Sequence, residues 1–215
     1  MFVDNSEIVY STYTGSNSSV LKQILRLYVP IGSHVIDLTY GKGRFWADIP
    51  IDDYCLWRND IAGGCDFAVD ALGAGDFFPE DVFGAVVIDP PYAVKPSGKS
   101  GQVRGADGKR DAGSYGTTAR FGATDAENLE WYRSVAAEAH RLLKPDGYLI
   151  LKTQDQYNGG CQQFKGFALT DIEGYVCEDL FIVVQSGKPI WDPKWKIQHH
   201  ARKNHSYFLV HRAVC

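Results

Sequence analysis

Apolar residues recur along the chain in short, nearly continuous runs that predict buried β-strands. These runs cover residues 34–38, 54–57, 66–70, 83–88, 148–152, 175–184 and 206–211. Because they are continuous in hydrophobicity rather than alternating, we expect strands buried on both faces, as in a parallel sheet covered by helices. The run at 66–70 is the weakest of them.

Two longer segments carry apolar residues at helical spacing. Residues 18–29 follow serines that can cap a helix and stop before Pro30, and residues 125–143 begin with acidic side chains and end at a Lys-Pro-Asp-Gly turn. Strands that alternate with helices predict an α/β fold, with a doubly wound, mostly parallel, Rossmann-like sheet of seven strands. In such a sheet, ligands bind at the carboxyl ends of the strands.

The composition is that of an ordinary globular domain. A hydrophobic content of 45%, a charged content of 22% and a length of 215 residues predict a single domain over residues 1–215. No apolar run approaches the roughly 20 residues of a membrane span, and no secretion signal is recognisable, so the expected compartment is the cytoplasm. Five scattered cysteines without a Cys-x-x-Cys pair predict reduced thiols and no metal site.

Positive charge is concentrated in two segments. Residues 93–122 carry six lysines or arginines against two aspartates, and residues 185–212 carry six against one, so these 58 residues sum to +9 in a chain of net charge −4. We expect a mobile basic loop at about 93–122, rich in Gly and Ser, and a basic insertion at about 185–205. Segregated positive charge is typical of polyanion binders, although two basic loops on an acidic protein are a plainer alternative.

The turn after the first predicted strand reads Asp37-Leu38-Thr39-Tyr40-Gly41-Lys42-Gly43. Its glycines permit positive φ and a close approach of a nucleoside cofactor, although the same spacing occurs in ordinary turns. The third glycine of a dinucleotide site and the Gly-Lys-Ser/Thr of a phosphate-binding loop are both missing. After the next two predicted strands, Asp60 lies where an acid can accept hydrogen bonds from ribose hydroxyls, and Asp70 could meet an adenine amino group.

The fourth predicted strand ends in Asp89-Pro90-Pro91-Tyr92. Prolines neither donate to a sheet ladder nor continue a helix, so the chain leaves the sheet abruptly in a stiff, extended turn. Such a turn holds the Asp89 carboxylate and the Pro90 carbonyl in fixed positions.

Together, the Asp-Leu-Thr-Tyr-Gly-Lys-Gly and Asp-Pro-Pro-Tyr motifs resemble those of class I S-adenosylmethionine-dependent methyltransferases. The resemblance is greatest to the amino-methyltransferases that modify exocyclic nitrogens of nucleobases in DNA, the adenine-N6 and cytosine-N4 family, and it covers residues 33–211. The glycine turn precedes Asp-Pro-Pro-Tyr, which is the family order. The block at residues 198–207 is similar to that of small phage and bacterial enzymes of this kind.

This resemblance implies S-adenosyl-L-methionine as cofactor and a set of roles at the strand ends. The cofactor site would contain Asp37, Thr39, Gly41, Gly43, Asp60 and Asp70, and the catalytic residues would be Asp89, Pro90, Pro91 and Tyr92. Asp89 and the Pro90 carbonyl would accept hydrogens of a base amine and stabilise the positive charge that develops on its nitrogen. Tyr92 would stack on a base flipped out of a duplex or taken from a single strand, a contact worth about 1–3 kcal/mol.

The two basic segments would bind the nucleic acid through cations interleaved with aromatic rings. The expected contacts are Lys95, Arg104, Lys109, Arg110, Arg120, Trp191, Lys194, Trp195, Lys196, Arg202 and Lys203. Packing of the two tryptophans against the sheet edge is an equal alternative for those residues.

Three activities remain open at the level of sequence. The leading one is a DNA amino-methyltransferase, with adenine N6 ahead of cytosine N4 as the target because Asp-Pro-Pro-Tyr is commoner in adenine than in cytosine enzymes of the family; cytosine N4 stays open. The others are an RNA methyltransferase acting on adenine N6 or guanine N2, and a catalytically silent nucleic-acid-binding subunit. The chain departs from typical DNA enzymes of the family in having no sizeable target-recognition domain beyond its two basic segments.

Overall fold

The computed structural model describes residues 8–50, 52–90, 124–158, 160–185 and 197–214. The strands and helices are, in chain order, β1 (Thr12–Thr14), α1 (Asn17–Tyr28), β2 (His34–Asp37), β3 (Cys55–Arg58), α2 (Ala74–Phe77), β4 (Phe83–Ile88), α3 (Asp125–Leu142), β5 (Leu143–Thr153), β6 (Gln156–Asn158), β7 (Cys161–Gln163), α4 (Lys165–Ala168), β8 (Tyr175–Val184) and β9 (His205–Ala213). The predicted basic loop at 93–122 and most of the predicted insertion at 185–205 lie outside these ranges, so the division into one domain with two basic segments stays a prediction.

Seven strands form one sheet in the order β1-β8-β9-β5-β4-β2-β3. The strands from β3 to β5 are mutually parallel, β9 is antiparallel to both of its neighbours, and β1 is parallel to β8. A separate hairpin consists of β6 and β7. The predicted doubly wound, mostly parallel α/β sheet is therefore confirmed.

The predicted strand at 66–70 is wrong, although the count of seven strands is right. Phe67 forms only an isolated bridge with Asn59, and the Asn59 side chain pairs with the backbone of Val69 through two bonds of 2.9 Å. The Asn59 side chain thus bonds the amide and carbonyl groups of Val69 that a neighbouring strand would otherwise bond. The seventh strand is β1, which lies at the opposite edge and is only three residues long.

Helices cover both faces of the sheet, and the strand residues alternate between two hydrophobic clusters. The cluster that contains α1 includes Val35, Ala85 and Val87, and the cluster that contains α3 includes Ile36, Val86 and Ile88. All of these strand side chains are fully buried, and full burial of an aliphatic side chain stabilises a fold by about 1.5–3 kcal/mol. Strand β4 is therefore fixed from both sides up to the residue before Asp89.

The two predicted helices are confirmed to within one residue at either end. Ser16 caps α1 by accepting a hydrogen bond from the Ser19 amide at 3.1 Å. Thr124 and Glu127 form a reciprocal capping box at the start of α3. In the part of the chain that the structure describes, no helix is both long and apolar enough to cross a membrane.

Candidate active site

The glycine turn begins at a buried carboxyl group. Asp37 ends β2 and is 1% exposed, and its Oδ1 accepts a hydrogen bond from the Thr39 amide at 2.9 Å. Its Oδ2 accepts from the Trp46 indole at 2.7 Å. Burial raises the pKa of Asp37 from 3.8 to about 7, a rise to which the charge of Asp89 adds and which the Trp46 and Thr39 donors oppose. The Asp37 carboxyl group therefore holds the glycine turn in place through buried hydrogen bonds and is not exposed to a ligand.

The two glycines of the turn take left-handed conformations. Gly41 has φ 54° and Gly43 has φ 70°, and a Cβ on Gly43 would overlap the Tyr40 hydroxyl. The Gly41 amide donates to Asp60 Oδ2 at 2.9 Å, while Asp60 Oδ1 accepts from the Ala62 amide at 2.8 Å. The structure thus joins the glycine turn to Asp60 by a hydrogen bond, although 19 residues separate them.

Asp70 is connected to the end of β2 by a different set of hydrogen bonds, which the Asn59 side chain makes. Asn59, which follows β3, donates to the carbonyl oxygens of Leu38 and Val69, at 3.2 and 2.9 Å. Asp70 comes directly after Val69 and caps a short 3-10 helix, with its Oδ1 accepting from the Leu72 amide at 3.1 Å. Asn59 thus anchors the segment that leads to Asp70 against the end of β2, a role that sequence reasoning missed.

Asp89 is attached to the glycine turn by a hydrogen bond. Its backbone amide donates to Thr39 Oγ1 at 2.7 Å, and the same hydroxyl donates to Asp37 Oδ1 at 3.3 Å. Asp37, Thr39 and Asp89 therefore form one connected chain across the carboxyl ends of β2 and β4, which are adjacent parallel strands. Pro90 is buried, and the predicted residues Pro91 and Tyr92 lie outside the described residues.

Lys152 is a residue of this site that sequence reasoning missed. Its Nζ lies 3.3 Å from Asp89 Oδ1, and its side chain is 5% exposed. The same nitrogen is 5.1 Å from the ring centre of Phe45 and 5.9 Å from that of Phe208. Burial lowers the pKa of Lys152, and the negative charge of Asp89 opposes the decrease. The sequence feature that could have indicated Lys152 is a lysine at the end of an apolar strand, next to the strand that carries Asp89.

The described part of the second basic segment lies beside the end of β5. The Tyr157 and His200 rings stack with centres 3.8 Å apart and planes at 12°, and Gln154 Nε2 donates to the His205 carbonyl at 2.9 Å. Arg202 and Lys203 are half-buried in this segment. The remaining predicted nucleic-acid contacts lie outside the described residues, namely Lys95, Arg104, Lys109, Arg110, Arg120, Trp191, Lys194, Trp195 and Lys196.

A buried polar cluster supports the elements around the site. Lys165 at the start of α4 is 1% exposed, and its Nζ lies 3.2 Å from Asp125 Oδ1 and 2.8 Å from Asn128 Oδ1. It also donates to Gln156 Oε1 at 3.1 Å. This ammonium group therefore joins α4, the start of α3 and β6, and no pattern in the sequence indicated this cluster.

The fold and this arrangement of strand ends define a Rossmann-like α/β protein with its candidate site at the carboxyl edge of the parallel strands. A sequence model of the DNA methylase family matches residues 83–212. The chain therefore belongs to the DNA methylase family, which confirms the resemblance drawn from the two motifs. A comparison with curated proteins finds no match.

Solved structures with the same fold include several methyltransferases. TrmN from Thermus thermophilus is 16% identical with a TM-score of 0.55, and the match covers 92% of this chain and 49% of that one. A Clostridium thermocellum protein assigned to the rRNA methylases is 12% identical with a TM-score of 0.51, over 92% and 98% of the two chains. The chain thus spans about half the length of TrmN.

A third structure contains a bound ligand. The 1,6-didemethyltoxoflavin-N1-methyltransferase of Burkholderia thailandensis holds S-adenosylhomocysteine and is 14% identical with a TM-score of 0.49, over 93% and 77% of the two chains. At these identities, the TrmN and Clostridium thermocellum structures bear on the fold alone.

Proposed function

We propose that this protein transfers a methyl group from S-adenosylmethionine to an exocyclic amino nitrogen of a base in DNA, with adenine N6 as the leading target. The observation that carries the proposal is the Thr39 hydroxyl, which accepts from the Asp89 amide at 2.7 Å. Through it, the glycine turn and Asp89 are held side by side at one sheet edge. A methyl donor on the first would lie next to an acceptor amine on the second.

The residues around the glycine turn fit an adenosyl cofactor. Gly41 has no side chain to block the approach of a ligand to a backbone of φ 54°. Each carboxylate oxygen of Asp60 accepts one backbone hydrogen bond and has a second lone pair for a ribose hydroxyl. We propose that the adenine end of the cofactor is bound by Asp70, whose Oδ1 caps a short 3-10 helix. When bound, the cofactor would supply an electrophilic methyl group.

The Asp-Pro-Pro turn supplies acceptors for the amine. The lone pair of an exocyclic base nitrogen is conjugated into the ring, so it attacks well only when its hydrogens are drawn into a geometry that exposes the lone pair. Asp89 and the Pro90 carbonyl would accept those hydrogens. The carboxylate also stabilises the positive charge that develops on nitrogen as the new bond forms. The proton that the amine then loses passes to solvent.

We place part of the nucleic-acid surface on the segment that precedes β9. Arg202 and Lys203 lie in this segment, which the Tyr157–His200 stack and the Gln154 bond hold beside the end of β5. Since β5 is parallel and adjacent to β4, these cations lie at the same sheet edge as Asp89. A duplex substrate would have to present its target base flipped out of the stack.

The cytoplasmic location of the protein stays a prediction.

The test is transfer of labelled methyl from S-adenosylmethionine to duplex DNA, single-stranded DNA and RNA, followed by mass analysis of the nucleosides. N6-methyladenine in DNA is the expected product. N4-methylcytosine as the product would change the assigned target base to cytosine. Label confined to RNA would change the assigned substrate from DNA to RNA. Binding of the cofactor without transfer to any of the three would contradict the proposed activity and favour a silent subunit.

A further inference from the structure

A buried lysine next to the proposed catalytic carboxylate requires a physical explanation. Removing an ammonium group from water is costly unless a counter-charge compensates for it. Lys152 is 5% exposed at its side chain, and Asp89 Oδ1, 3.3 Å away, is such a counter-charge. The flanking rings of Phe45 and Phe208 add a weaker cation–π attraction.

The position of Lys152 is fixed by its backbone as well as by its ammonium group. It belongs to β5, which pairs with β4 on one side and β9 on the other, and its carbonyl accepts a hydrogen bond from the buried Tyr132 hydroxyl at 2.9 Å. Helix α3 and two strands therefore hold the lysine at one place beside Asp89. A surface lysine with a mobile side chain would not offer this precision.

The local charge balance shows why a cation is needed there. Asp37 and Asp89 lie at the ends of adjacent strands, and the charge of Asp89 adds to the raised pKa of Asp37. Two neighbouring carboxyl groups disfavour simultaneous ionisation unless a positive charge is close. Among the described residues, the Lys152 ammonium group lies near the Asp89 carboxylate from β4 and the uncharged rings of Phe45 and Phe208, while the Tyr132 hydroxyl from α3 donates to the lysine carbonyl.

We propose that Lys152 is a positioning residue for methyl transfer, which holds the Asp89 carboxylate oriented toward the amine of the substrate base. This inference rests on the proposed function. Lys152 contacts Asp89 and acts through it, without touching the methyl group or the base. The lysine thus completes a line of charged and polar groups, Asp37, Thr39, Asp89 and Lys152, across the ends of three adjacent parallel strands.

The test compares K152M, K152Q and K152R with the wild type in steady-state methyl transfer. Outer partners of active groups typically contribute about 10–100-fold, so we expect K152M and K152Q to lose about that much in kcat. Their KM for S-adenosylmethionine should change little. K152R should recover part of kcat, because its guanidinium group restores a positive charge beside Asp89.

A matched control is K165M, which removes a second buried ammonium group that pairs with Asp125 rather than with Asp89. It should lower the thermal midpoint without a comparable loss of kcat per folded molecule. Rates are divided by the folded fraction at the assay temperature, and if K152M does not fold, K152Q and K152R carry the comparison. A wild-type kcat in K152M and K152Q, or a K152R rate no higher than that of K152Q, would overturn the inference. Absence of transfer by the wild type to any polymer would instead overturn the proposed function.

Discussion

The Thr39 hydroxyl offers a sharp test of the connection between the glycine turn and the Asp-Pro-Pro turn. T39V keeps the shape of the side chain but removes the acceptor of the Asp89 amide, which lies at 2.7 Å. A partly buried amide that loses its acceptor costs about 1–3 kcal/mol. The lost hydroxyl bond to Asp37, at 3.3 Å, is long and adds little. In a chain of this size, each kcal/mol corresponds to about 2–4 °C in thermal midpoint.

T39V should lower the rate of methyl transfer as well as the stability. A shift of about 1 Å in a positioned group can reduce a rate about 100-fold, so we expect a comparable loss of kcat in T39V at temperatures where the variant is folded. T39S keeps the hydroxyl and serves as the control, with a rate and a midpoint near those of the wild type. Methyl transfer and thermal unfolding are measured on the same samples. A wild-type rate in T39V would refute the role assigned to this hydrogen bond.

Two further predictions concern pH and salt. Because the pKa of Asp37 is raised from 3.8 to about 7, the stability that this group contributes is present below about pH 4 and is lost as the pH rises toward 7. In urea unfolding, the free energy of unfolding of the wild type should therefore fall relative to that of D37N as the pH rises over this interval. An equal slope in both proteins would contradict the buried carboxyl. R202A/K203A should weaken nucleic-acid binding about equally for all sequences and reduce the slope of log K against log salt by about 2, as fluorescence anisotropy at several salt concentrations would show. An unchanged slope would place the phosphate contacts elsewhere.

Much of the fold followed from hydrophobic patterning because the central strands are buried on both faces. The run at 83–88 became β4 with its predicted bounds, and α1 and α3 had caps and stop signals that the sequence displays. The strand predicted at 66–70 failed because Asn59 satisfies the backbone of Val69 with its side chain. Strand β1 was missed because three residues at a sheet edge carry too little pattern to recognise.

Residues of the candidate site could be predicted from the sequence where they lie at strand ends. Pairs of residues that meet only through tertiary contacts could not. Gly41 and Asp60 were expected to lie close together, and a 2.9 Å hydrogen bond joins them. The pairing of Lys152 with Asp89 depends on the register between β4 and β5, which spacing along the chain does not reveal.

The most direct test of the account is single-turnover methyl transfer by D89A, measured beside its affinity for S-adenosylmethionine by calorimetry. Asp89 is proposed to act on the amine, while the cofactor would be held by the glycine turn and Asp60. We therefore expect transfer to be abolished with a cofactor Kd close to that of the wild type. Transfer at the wild-type rate, or an equal loss of transfer and cofactor affinity, would contradict the assignment of Asp89 as the acceptor for the base amine.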